Sequence, residues 1–419
     1  MKNTGFIAAL FVSALYQTGT LSAGSTGPYA HNPEFQDTTL WPAHVPKTAY
    51  FKETWKPARL LVFVKAGDLE NGNWRNTNIK QIDAVVNWEE NGKPATEAPD
   101  ENTDLIFPES KNVYVAGYSE GGPLTARHIT VGKNAHIDCS RLTIHGNLWV
   151  KGGGNIFGGN VQFVGSRHTF MRNDGNPKAE DFLTNKLDVL KAPNASVETL
   201  GRWAQDDEMR IRSGTLVLGP DTLFQPGDRG GHRLWPKANL VLMSGSRLQS
   251  IGNKYEDRDW VISGNLLAGT TDRPLTADAT FGLSFKVHAE LKGTGNGGGA
   301  GTVNDTGFAL NPTGRIAVTS ADPKKARLVI CWSGRPHRFG GVPQDLDSYA
   351  HKEKIKIVLP GKTDFNGVEF RDFRLGGISM SQPSDSTQWK NITLGDKNEG
   401  PLNKLIVKHD GPTEYGMDR

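Results

Sequence analysis

The chain has 419 residues, with 49 Gly, 23 Pro and 36% hydrophobic residues, enough for two average domains or one elongated repeat. A mean hydropathy of -0.48 is too polar for a helical membrane protein, and 10 Trp with 18 Phe are too many for a disordered one. The net charge is only +3 and no Lys/Arg-rich run occurs, which argues against nucleic acid and leaves an anionic polymer as a fitting partner.

Residues 1–23 read as an export signal, with Lys2 before an apolar run at 5–16 and small residues around Ala23 for cleavage. The run is too short to span a bilayer, and no Cys beside the cleavage site offers a lipid anchor. A secreted or periplasmic monomer is expected, with no membrane anchor. Residues 24–103 are Pro-rich and polar, punctuated by Trp41, Trp55, Trp74 and Trp88, with one strand pattern at 58–67. This segment is expected to cap an otherwise open sheet edge.

From residue 104 to 419 the chain reads as short runs of Val, Ile, Leu and Phe alternating with polar residues, broken by Gly, Asn and Asp. Alternation over four to six positions is the strand signature. Repeated short strands joined at Gly-Asn or Gly-Ser corners suit a solenoid, in which each coil stacks its inward side chains on the next. No linker divides the region into β-sandwiches, so a single right-handed parallel β-helix is expected. Ile144, Leu148, Val150, Val161, Phe163, Leu216, Val241 and Ile262 are predicted to face inward. One window, 179–192, is a helix candidate.

Within that region "GYSEG" (117–121) matches the nucleophile elbow of esterases, but Pro123 and a strand pattern follow where a helix is required. Cys139 and Cys331 are the only cysteines; they are expected as two separately buried thiols, without zinc spacing. "GTGNGGGAG" (293–301) lacks the strand-to-helix context of a dinucleotide site and reads as a Gly-rich loop. "SGRPHRFGG" (333–341) carries Arg335, His337 and Arg338 in what is by default a solvated turn.

The chemistry concentrates between 203 and 260. Asp206, Asp207 and Glu208 lie between Trp203 and a strand pattern; Asp257 and Asp259, with Glu256 and Arg258, come before another strand ending at Trp260. Between them come Arg229, His232, Arg233 and Trp235. If one coil takes about half the separation, the two acidic corners lie two coils apart, roughly 10 Å at about 4.8 Å per strand spacing. That is near the upper limit of the ~6.5–9.5 Å between the carboxyls of an inverting glycosidase. One carboxyl would protonate the glycosidic oxygen and another activate water. Arg229, Arg233 and Arg258 would hold sulfate or carboxylate groups, and Trp203, Trp235 and Trp260 would offer faces to sugar rings. In a lyase, His232 or Arg233 would be the base and Asp206, Asp207 and Asp257 would bind Ca²⁺. Against both stands a plainer reading, in which the acids are solvated turn formers paired with nearby Arg at little energetic gain.

Two stretches carry a family resemblance. Residues 87–115 look like the first coil of many extracellular β-helices, with a Trp turn, a Pro-rich link and an acidic pair before a strand. Residues 261–283, "VISGNLLAGTTDRPLTADATFGL", resemble the glycine-rich extracellular domain of eight glycines, through a G-x-L-x-x-G-T hairpin, a Pro at the next corner and a closing strand. The wider class this implies is the pectin-lyase-like β-helix proteins, many of which cut acidic or sulfated polysaccharides. These motifs point to architecture and not to one reaction; with the acidic corners, hydrolysis of an anionic polysaccharide is the first expectation, with β-elimination or a non-catalytic adhesion protein as alternatives.

Overall fold

A computed structural model describes residues 59–64, 82–109, 113–115, 123–174, 186–205, 207–227, 232–249, 260–283, 308–310, 314–323, 325–332, 355–358, 368–371, 378–382, 393–394, 404–409 and 414–418. The chain divides into two compact units, Met1–Arg59 and Leu60–Arg419, and all but the first of the described residues belong to the second. The described structure is almost entirely β, with a short 3₁₀ turn at Val85–Asn87. The helix candidate is overturned where it is described. Lys186–Lys191 is a strand, because Leu187 and Val189 are buried at period two between parallel neighbours on both sides.

The strands form three parallel stacks. The first runs Thr103–Phe107, Ile129–Val131, Leu148–Val150, Thr169–Asn173, Ser196–Ala204, Thr215–Leu218, Asn239–Leu242, Asn265–Ala268 and Arg315–Val318. The second contains Ala135–Ile144, Asn155–Gly165, Lys186–Lys191, Met209–Ser213, His232–Leu234, Trp260–Ile262 and Phe308–Leu310 in that order. The third starts from the end of Ser196–Ala204 and adds Leu223–Gln225, Arg247–Gln249, Ala279–Leu283 and Leu328–Trp332. From Met209 to Trp332 the chain visits the second, first and third stacks in strict rotation, so each strand pairs with the one laid down a full cycle later. Partners one step apart are therefore distant in sequence; Thr215 and Asn239 are separated by 24 residues, Asn239 and Asn265 by 26.

Side chains from all three stacks meet in one apolar cluster. Leu216, Leu240, Leu266 and Ile316 line up in register in the first stack; Val189, Ile211, Leu234 and Ile262 in the second; Phe224, Leu248, Phe281 and Ile330 in the third. Burial of such side chains, at about 1.5–3 kcal/mol each, is the main favourable term holding the stacks together. Of the eight residues expected to face inward, Val241 departs. It belongs with Val217, Met243 and the partly buried Leu267 to a separate small cluster, because Leu240 and Leu242 on either side take the core positions.

At the corners, the sequence supplies left-handed backbone where the chain must turn. Asp221 and Gly245, at φ 57 and 72, sit at stacked corners one step apart, with the Asp221 amide bonded to Ser244 O at 3.1 Å. A Cβ at Gly245 would collide with the Asp221 carboxylate, so only glycine fits above it. At the N-terminal side, Arg59–Phe63 pairs antiparallel with Trp88–Glu90, which pairs antiparallel with Lys93–Pro94. Phe63, Trp88 and Phe107 pack ring against ring at 5.2–5.4 Å, and the indole of Trp88 donates to Ile82 O at 2.9 Å. The second stack continues through Ile355–Val358, Ile378–Gln382 and Lys404–His409, and Glu414–Asp418 pairs antiparallel with the last of these.

Candidate functional site

The outward side of the second stack is where the polar side chains gather. In Lys186–Lys191 the inward residues are Leu187 and Val189, so Lys186 and Asp188 face outward; in Met209–Ser213 the inward residues are Met209 and Ile211, so Arg210 and Arg212 do. Register then stacks Asp188, Arg210 and Arg233 on three successive strands. The corner just before Met209 adds Asp207 and Glu208.

These groups are tied to one another. Lys186 Nζ lies 2.8 Å from Glu208 Oε1 and 3.4 Å from Asp207 Oδ2. Arg210 also donates to Glu208 Oε1. The Glu208 amide donates to Asp207 Oδ1 at 2.9 Å, and the buried Gln205 amide donates to the Asp207 carbonyl at 3.0 Å and to the Glu208 carbonyl. Farther along, Asp188 is 2% exposed and accepts from Arg212 Nε at 3.3 Å and Gln162 Nε2 at 3.4 Å. The Arg212 guanidinium lies over the half-buried Trp235 ring, 5.2 Å from its centroid.

The residues singled out from sequence separate into three groups. Asp207, Glu208, Arg233 and Trp235 lie on this outward face or at its corners, with Arg233 exposed. Trp203, Trp260 and His232 are interior. Trp203 is buried and its indole donates to Leu200 O at 2.9 Å. Trp260 is fully buried against His232, at 5.0 Å between ring centroids, and Phe281, at 5.3 Å. Neither indole presents a face to a sugar, because strand alternation that puts Ile262 inward puts Trp260 inward as well. His232 is likewise inward by the same alternation with Leu234; its Nδ1 accepts the Met209 amide at 3.1 Å. Burial pushes its pKa down to about 3, against a backbone hydrogen bond with Gly227 that raises it. Enclosure in the core and this weak basicity both speak against the imidazole as the base of an elimination. Asp206, Arg229, Asp257, Arg258 and Asp259 lie outside the described residues, as do Ser119 of "GYSEG", the 293–301 glycine run and the 333–341 loop.

Sequence alone assigns no role to Lys186, Asp188, Arg210 or Arg212. The signal is present in the alternation of "KLDVLK" and "MRIR", which does not say which strands become neighbours. Among the described residues no group of three or more His, Cys, Asp or Glu is placed to hold a metal ion. The Asp207 carboxylate, a Ca²⁺ ligand in the lyase alternative, accepts from the Glu208 amide and lies 3.4 Å from Lys186 Nζ. Cys139 is a buried thiol.

A second polar concentration lies where the second stack turns into the first. Arg127 grips Asp104 with two hydrogen bonds of 2.7 Å, both side chains being buried. His128 is fully buried and accepts the Asn147 amide at Nδ1, 2.8 Å away; burial, then Arg127, Arg167 and Lys191, hold its pKa well below the ordinary value. Lys191 is buried and donates to Val164 O at 2.7 Å.

No family model, curated protein or solved structure matches this chain.

Proposed function

We propose that the three stacks close into a right-handed parallel β-helix of the pectin-lyase-like kind, and that this exported protein binds and hydrolyses an anionic extracellular polysaccharide along the outward face of the second stack. The observation that carries the reading is the row of Lys186, Arg210, Arg212 and Arg233 on three successive strands, set around Asp188, Asp207 and Glu208. Such a row repeats at about 4.8 Å per strand and suits a polymer that carries acidic groups at intervals, held by paired donors.

The roles divide by charge. Glu208, beside an ammonium and a guanidinium, is suited to act as a carboxylate that takes a proton from water, with Asp207 supporting it. The acid would come from Asp257 or Asp259, next to Trp260, which stands two steps along the stack from Met209. The two strand steps of about 4.8 Å from Met209 to Trp260 come close to the separation an inverting pair requires, while Asp257 and Asp259 themselves lie outside the described residues. The same ion pairs around Glu208 favour a second reading, in which the corner is structural and the protein is a non-catalytic adhesion β-helix.

A panel of pectic, alginate, carrageenan, fucan and glycosaminoglycan polymers, scored for chain shortening and new reducing ends, tests the first against the second. Shortening of an acidic polymer with no unsaturated uronate in the products is the expected result. Binding without shortening would leave the adhesion reading, and products with a conjugated double bond would mean elimination.

A further inference from the structure

Arg212 is held at two points. Its Nε–H is spent on Asp188, a carboxylate only 2% exposed, and its guanidinium lies against the Trp235 ring at 5.2 Å. Asp188 is itself steadied from the other side by Gln162. The Arg212 side chain nevertheless remains 40% exposed. A guanidinium carries five N–H donors in a rigid fork. With Nε–H engaged, the two terminal NH₂ groups have no hydrogen-bond partner among the described residues. The exposed Arg233 follows one step along the stack from Arg210, so a second cation borders the same stretch of surface.

We infer that Arg212, pinned by Asp188 and Trp235, is the specificity-determining contact for the acidic substituent of the polymer, a uronate carboxylate or a sulfate ester, taken end-on by its terminal NH₂ groups. This rests on the polysaccharide reading above. A flexible arginine would lose rotamer freedom on binding such a group; one already fixed by an ion pair and a ring loses little, which concentrates discrimination between acidic and neutral chains at this position. Trp235 accordingly serves as the platform for the guanidinium, and the sugar ring approaches beside it.

The test measures binding of the full-length secreted protein to polygalacturonate, to carrageenan and to a neutral glucan, for wild type and for Arg212→Lys and Trp235→Leu. Arg212→Lys keeps a cation on buried Asp188 and loses the fork; thermal melting checks that both variants remain folded. Wild type is expected to bind one or both acidic polymers and not the glucan, and the polymer preferred tells carboxylate from sulfate. Arg212→Lys should weaken that binding by roughly tenfold or more, the worth of a charged hydrogen bond, and Trp235→Leu should weaken it in the same direction. Wild-type binding to an acidic polymer that both variants retain in full overturns the role of Arg212 and leaves the polysaccharide reading standing. If wild type binds none of the three polymers, the polysaccharide reading falls and this assignment falls with it.

Discussion

Lys186 reaches across from the neighbouring strand to place its ammonium 2.8 Å from Glu208 Oε1, although 22 residues separate the two in sequence. That contact makes Glu208 the best-defined carboxylate on the outward face and sets the first prediction. Glu208→Gln keeps the shape and removes the proton acceptor, so chain shortening of the preferred polymer should fall by about 10²–10⁴-fold. The Glu208 side chain is only 10% exposed while Lys186 and Arg210 are 30% and 24% exposed, so losing its charge should also lower stability, by more than the ~1 kcal/mol limit of a fully exposed pair and less than the ~3–5 kcal/mol of a fully buried one. Unchanged turnover in Glu208→Gln and in Asp207→Asn would assign the corner to structure.

His232 leads to a prediction about acid. Its pKa is about 3 in the folded chain against 6.5 ordinarily, so between those values the unfolded chain binds the extra proton. The contribution is therefore fully present above pH 6.5 and is lost as pH falls towards 3. Urea unfolding at a series of pH values should show a shallower acid loss in His232→Gln than in wild type. The pH–rate profile should keep its shape, since an interior imidazole takes no part in turnover.

Lys191 predicts the opposite end of the scale. Burial, and after it the charge of Arg167, push its pKa from 10.5 to about 7. Across that window the unfolded chain carries the proton and the folded chain does not, so stability should rise with pH by up to about 1.4 kcal/mol per unit. The gain is complete above 10.5 and absent below about 7. Lys191→Met should remove this rise, measured as the difference in unfolding free energy between about pH 8 and about pH 10. An identical slope in wild type and variant would mean that Lys191 is protonated in the folded chain.

Asp104 and Arg127 form a buried pair, with side chains 0% and 2% exposed. Replacing one partner strands a charge in the interior, and Arg127→Met or Asp104→Asn alone should cost about 3–5 kcal/mol. The double replacement should recover much of that loss, because no uncompensated charge is left. Denaturant midpoints for the four proteins of this cycle give the coupling directly; additive losses would mean that other groups satisfy the two charges.

Much of the architecture was legible in the residues alone. Period-two alternation located the strands around Ile144, Leu148, Val161, Phe163, Leu216 and Ile262, all of which lie in the main core, because alternation is a local property that each strand carries in its own sequence. The Gly and Asp corners were legible for the same reason, since left-handed backbone at Asp221 and Gly245 is a demand on single residues. The interior placement of His232 and Trp260 is implicit in the strict alternation of "HRL" and "WVI", although the chemistry of both side chains suits a surface site equally well. What only the tertiary structure decided is which polar residues meet. Lys186 with Glu208, Arg212 with Asp188 and Arg212 with Trp235 each join different strands of the stack. Parallel pairing sets these partners through the length of a whole cycle, 22 residues in one case and 24 in another. A shift of one residue in that register would send every one of these side chains to the opposite face. Local pattern says which side chains leave the core; only the register says what each finds when it arrives at the surface.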